Sequence, residues 1–147
     1  MADIDVWTKE YMSDERTFAD LFNYFLYDGK QVIDPNSLKP LDTSLVSIPY
    51  GEDDEQEPVQ RYRDILKRAV MMSDGCASYL LLGIENQSNI HYAMPVRNML
   101  YDALQYAEQI KKISEKNRSM GRNGTSDEFL SGIYKEDALT PVVTLTF

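Results

Sequence analysis

Asp64, Glu85 and Gln87 are the residues of this chain whose types and spacing could do chemistry. Two carboxylates can hold a divalent cation through hard oxygen donors. An amide beside them has both a donor and an acceptor. The three are well separated in sequence, so folding has to bring them together. Asp74-Gly75, midway between them, supplies the means. Asp-Gly is the strongest short-range hairpin signal, because both central residues of a type I′ turn need positive φ. With these two as the turn, Ser73 faces Cys76, Met72 faces Ala77, and the pairing continues to Asp64 facing Glu85. Opposed residues point to one face, with Cβ atoms roughly 4.5–5.5 Å apart. Gln87, two residues beyond Glu85, shares that face. Like charges so placed are destabilising unless a cation neutralises them.

The elements that must position these groups are the two hairpin arms. ASYLLLGIE at 77–85 is a near-continuous apolar run of the length expected for a strand buried on both faces. Gly83 within it lets another group approach the backbone. The other arm is ambiguous. Tyr62, Ile65, Leu66, Ala69 and Val70 fit a helical face, with Arg61, Arg63, Lys67 and Arg68 opposite. The turn needs an antiparallel partner for the second arm, so Pro58–Arg63 is read as a short helical approach and Asp64–Met72 as strand. A helix through Ile65 and Leu66 would break the pairing of Asp64 with Glu85. Glu85-Asn86-Gln87-Ser88-Asn89 then forms a polar strand end.

Around the hairpin, spacing predicts a helix over 13–27, with Ser13 as N-cap, Asp28-Gly29 as terminator and an apolar stripe of Phe18, Leu21, Phe22, Phe25 and Leu26. Asp20 and Asn23 are expected on its solvent side. Residues 43–48 read as a strand closed by Pro49 and Gly51, and the acidic run GEDDEQE at 51–57 as an exposed loop. A long helix is expected over 93–117, with Pro95 in its first turn. Its apolar stripe runs through Val96, Met99, Leu100, Ala103, Leu104, Ala107, Ile110 and Ile113. Arg97 and Tyr101, four apart on one face, begin this helix as it leaves the Glu85 strand, so they can flank the site. Lys111, Lys112, Lys116, Arg118 and Arg122 make its far end basic. Cations there suit the helix macrodipole, and they are also the best phosphate-contact candidates in an acidic chain. Residues 118–132 are rich in Gly, Asn and Ser and read as a mobile loop, with Ser126-Asp127-Glu128 opening a further helical turn. Thr140–Phe147 reads as a buried strand.

Composition sets the outer limits. At 147 residues and 43% apolar, the chain is expected to form one α/β domain with a substantial core. A net charge of −9 argues against a generally basic nucleic-acid surface but allows a local patch. His91 is the only histidine, which excludes a histidine zinc site or a Ser-His-Asp triad from this chain. Cys76, the only cysteine, excludes an internal disulfide and suits the reducing cytoplasm. The N-terminus MADIDVWTKEYM is not a signal peptide, and no run of 18 apolar residues spans a membrane.

An order of helix, three strands, helix and strand, with Asp at the start of the second strand and Glu-x-Gln at the end of the third, resembles the PD-(D/E)xK nuclease core. That core is a restriction-endonuclease-like α/β fold, a mixed sheet flanked by helices in the order αβββαβ. RDIL at 63–66, DG at 74–75, YLLLGIENQS at 79–88 and MPVRNMLYDALQYAEQ at 94–109 are similar to the bacterial transposase branch of that superfamily, related to the recombination-promoting nucleases. Members of that branch are usually longer, and the chain stops on a strand, so it is expected to be an N-terminal fragment.

The resemblance implies Mg²⁺-dependent hydrolysis of DNA phosphodiesters, with Mn²⁺ as a substitute. It implies Asp64 and Glu85 as metal ligands, the Asn86 carbonyl as a third, and Gln87 in the place of the motif lysine. Asp20 is the candidate for the first-helix acid of the superfamily. DNA is the implied partner, with a homodimer where double-strand breaks are made. The departure at Gln87 matters, because an amide is neither a cation nor a useful proton acceptor. The competing class is a catalytically inactive nuclease fold kept as an interaction or DNA-binding module.

Overall fold

The computed structural model describes residues 2–41, 44–47, 59–62, 65–73, 76–85, 92–122 and 124–147. Two helices open the chain, α1 (Ala2–Ser13) and α2 (Glu15–Tyr27), and a 3₁₀ turn at Pro35–Ser37 follows. The strands are β1 (Lys39–Pro40), β2 (Ser44–Ser47), β3 (Val59–Tyr62), β4 (Ile65–Ser73) and β5 (Cys76–Glu85). The chain ends through α3 (Met94–Met120), α4 (Ser126–Ser131) and β6 (Val142–Thr146). β1, β4, β5 and β6 form a four-stranded sheet in that order. β4 and β5 are antiparallel and β5 and β6 parallel, so the sheet is mixed. β2 and β3 pair separately as a two-stranded ribbon, with β2 beside α3.

The sheet is covered on both sides. Ile65, Ala69, Leu82 and Ile84 point to one face and form the core with Phe18, Ala19 and Phe22 of α2 and with Ile33 and Leu38. Fully burying a side chain of Phe or Leu size contributes roughly 1.5–3 kcal/mol. Val143 and Leu145 of β6 pack against the same core. On the other face, which carries Leu66, Gly83 and Glu85, α3 packs against the neighbouring strand β6. Thr144 of β6 donates to Asp102 at 2.9 Å and Asn98 donates to Thr146 at 2.8 Å. The β4–β5 pairs run from Ile65 with Ile84 through Met72 with Ala77 to Ser73 with Cys76, the register that a two-residue turn at 74–75 requires. The turn itself lies outside the described residues.

Several expectations need correcting. The segment before β4 is not helical: Val59–Tyr62 is extended and bonded to Ser44–Ser47. The helical spacing of Ile65, Leu66 and Ala69 arises because the stretch from Ile65 to Ala69 is buried on both faces, and only Arg68 among its members is exposed. Of the predicted strand at 43–48, the described residues Ser44–Ser47 pair with β3, outside the main sheet. The N-cap of α2 is Asp14, whose carboxylate accepts from the backbone N–H groups of Arg16 and Thr17 at 3.1 and 3.0 Å. Ser13 instead ends α1, a helix the sequence reading lacked, and its hydroxyl donates back to the Lys9 carbonyl. Asp28 does end α2 in the left-handed region, at φ 51°. Asn23 is fully buried, not solvent-facing.

The apolar stripe assigned to α3 is also turned outward over its first half. Val96 is 66% exposed and Met99 70%. The helix instead lays Asn98, Tyr101, Asp102, Gln105, Tyr106 and Gln109 toward the sheet. Tyr106 accepts from the Val142 N–H at 3.1 Å, and the Gln109 amide exchanges two hydrogen bonds with the Thr140 backbone. The physical reason is matching: the threonine side chains of β6 and the backbone groups of Thr140 and Val142 at its start need hydrogen-bonding partners.

Candidate functional site

The site builds on the last residues of β5. Ile84 points into the α2 core and is fully buried, so Glu85 must point to the α3 face. Glu85 is itself buried, at 3% exposure. Its carbonyl accepts from the Phe147 N–H at 3.0 Å, and its ladder partner on β6 is Thr146.

α3 then brings polar groups over this strand end. Arg97 donates from Nη2 to the Tyr101 hydroxyl at 3.0 Å and from Nη1 to Met94 Sδ at 3.6 Å. Tyr101 is 4% exposed. Asn98 sits on Thr146, and Asp102 on Thr144, the ladder partner of Gly83. Asn98 Oδ1 is buried and accepts no hydrogen bond among the described residues. Asn98, Asp102, Thr144 and Thr146 escaped the sequence reading. The only signal for them was the polar spacing 98, 101, 102, 105 on a helix whose other side is apolar.

The remaining predicted residues separate into three groups. Asp64, Asn86, Gln87 and His91 lie outside the described residues, and so does the facing of Asp64 to Glu85. Asp20 is exposed on α2, which covers the opposite face of the sheet from Glu85, so the structure does not bring the two together. Lys111, Lys112 and Lys116 are exposed on α3. At 1.5 Å per residue they lie about 21–28 Å along the axis from Arg97. Lys112 pairs with Glu108 at 3.2 Å.

Arg122 is committed to structure: its guanidinium lies 4.5 Å from the Tyr134 ring centre and 3.9 Å from carboxylate oxygens of Glu136 and Asp137. Two cavities, of about 510 and 240 Å³, open around Arg122 and Phe129 between the end of α3 and α4. They are at the far end of α3 from Glu85.

Whether a hard cation suits the described groups turns on donor chemistry. Among the described residues no cluster of three or more His, Cys, Asp or Glu could hold a metal ion. The groups on the Glu85 face are nonetheless oxygen donors: the Glu85 carboxylate, the unmatched Asn98 oxygen and the threonine hydroxyls. That set suits Mg²⁺ or Mn²⁺ and not a thiolate- or imidazole-preferring metal. Among the described residues no helix is long and apolar enough to cross a membrane. No protein-family model, curated protein or solved structure matches the chain.

Proposed function

We propose that the chain is a metal-dependent DNA phosphodiester hydrolase of the endonuclease type, on a restriction-endonuclease-like fold, working in the cytoplasm. Asp64 and Glu85 would hold Mg²⁺, with the Asn86 carbonyl as a further ligand. The observation that supports this reading best is the β4–β5 register. Its last described pair is Ile65 with Ile84, and the next residues outward are Asp64 and Glu85. The buried state of Glu85 adds to it.

The bound cation would supply a more acidic water and neutralise charge that builds on the phosphate. Gln87 would orient that water or the scissile phosphate through its amide; it cannot accept the proton. Arg97, held by Tyr101, would offer a permanent cation to a phosphate beside the scissile one. A duplex lying along α3 would meet Lys111, Lys112 and Lys116 about 21–28 Å further on, within one turn of B-DNA.

The test is nicking of supercoiled DNA in Mg²⁺ or Mn²⁺. Wild type should nick, while Asp64→Ala and Glu85→Ala should each lose at least about 100-fold, as expected when a metal ligand is removed. Cleavage that survives both substitutions would sink the assignment. A non-catalytic DNA-binding or interaction module is the second reading, favoured by the net charge of −9 and by glutamine at position 87. It predicts DNA binding without metal-dependent nicking, and binding unaffected by Asp64→Ala.

A further inference from the structure

Asn98 stands in the second turn of α3, on β6, the strand beside the one that ends at Glu85. Its Nδ2 donates to Thr146 Oγ1 at 2.8 Å, and Thr146 is the ladder partner of Glu85. Residues paired across a ladder point to the same face, so Asn98, Thr146 and Glu85 share it. Asn98 Oδ1 is buried there and accepts no hydrogen bond among the described residues. Such an atom is costly to leave unmatched and calls for a donor, a water or a cation.

The side chain is also held in place. One turn on, Asp102 accepts from Thr144 at 2.9 Å, and Thr144 and Thr146 are alternate residues of β6. These two bonds tie this part of α3 to β6. An amide carbonyl is a hard, neutral oxygen donor of the kind Mg²⁺ and Mn²⁺ accept. It adds a ligand without adding to the charge repulsion of a buried carboxylate.

We propose that Asn98 belongs to the cation site of Glu85, its Oδ1 meeting the ion directly or through an ion-bound water. This rests on the metal-dependent reading above.

The test uses the full chain and Mn²⁺ alone, with free Mn²⁺ followed by electron paramagnetic resonance. Wild type should bind, and Glu85→Gln should lose binding. Asn98→Ala should weaken binding by about 10-fold, the range seen for supporting residues of metal sites. Asn98→Asp, which keeps the shape and adds a charge, should tighten it by about 10-fold. Wild-type affinity in both Asn98 variants, with Glu85→Gln still defective, would overturn the role of Asn98 and leave the metal reading standing. No Mn²⁺ binding by wild type would overturn both. Asn98→Asp also covers the case in which Asn98→Ala unfolds: a folded Asp variant that binds no more tightly than wild type counts against the proposal.

Discussion

Asn23 fixes the loop after α2 with both ends of one amide. Its Oδ1 accepts from the N–H groups of Val32 and Ile33 at 3.0 and 2.7 Å, and its Nδ2 donates to the Ile33 carbonyl at 3.0 Å. These bonds hold Ile33, fully buried, in the core. Removing the amide strands buried backbone groups, each costing about 1–3 kcal/mol. Asn23→Ala should therefore destabilise the fold by roughly 3 kcal/mol in urea unfolding; Asp20→Ala, on the exposed side of the same helix, should stay within about 0.5 kcal/mol. Lys67 makes a similar tie. Its Nζ donates to the Ser13 carbonyl, lies 3.5 Å from the Glu15 carboxylate and sits 5.0 Å from the Phe18 ring centre. One buried lysine thus joins the end of α1 and the start of α2 to the sheet.

At the scale of elements, the α3–α4 corner is held by carboxylates. Glu128 accepts from the backbone N–H groups of Thr125 and Lys135 and completes a capping box with Thr125. Those bonds, the Thr125 N–H first, pull its carboxyl below the ordinary value of 4.5. Asp137 accepts from the Tyr134 N–H and the Asn117 amide, and it too is held below its ordinary value of 3.8, chiefly by the Tyr134 bond. A carboxyl whose folded-state pKa is depressed stabilises the fold at pH values above its unfolded pKa. That stability fades as pH falls through the folded value. Stability should thus decline from about pH 4.5 downward, and Asp137→Asn with Glu128→Gln should lower stability at pH 7 and flatten this acid limb in thermal melts at pH 7, 4 and 3. A parallel acid limb in the double variant would locate the sensitivity elsewhere.

At the scale of the whole molecule, β5 is an inner strand: β4 and β6 flank it, α2 packs on one face of the sheet, and α3 packs on β6 at the other. Its backbone amides from Leu82 to Ile84 should be the slowest to exchange with deuterium, and those of the two-stranded ribbon β2–β3 among the faster. Charge is distributed just as unevenly. The net charge is −9, yet Lys111, Lys112 and Lys116 crowd one end of α3. If that end tracks a DNA backbone, replacing all three with alanine should weaken binding and reduce the slope of log K against log salt by about 0.9 per lost contact. Mn²⁺ binding should be unchanged, because these lysines lie about 21–28 Å from Arg97.

Local chemistry determined much of this by itself. Asp28-Gly29 ended a helix and Pro95 began one. Each acts over a few residues through φ or a missing N–H, so the sequence is sufficient. Only the tertiary structure decided which way the elements turn. Asn23 is polar in sequence yet buried, because the loop at 31–33 needs its amide. Val96 and Met99 are apolar yet exposed, because the threonines of β6 select the polar side of α3. Ile65, Leu66 and Ala69 look helical because a strand buried on both faces loses its alternation. The site divides along the same line. The position of Glu85 at a buried strand end was legible, while the seat of Asn98 on Thr146 depends on how α3 rotates against a strand 48 residues away, and that rotation is set by packing.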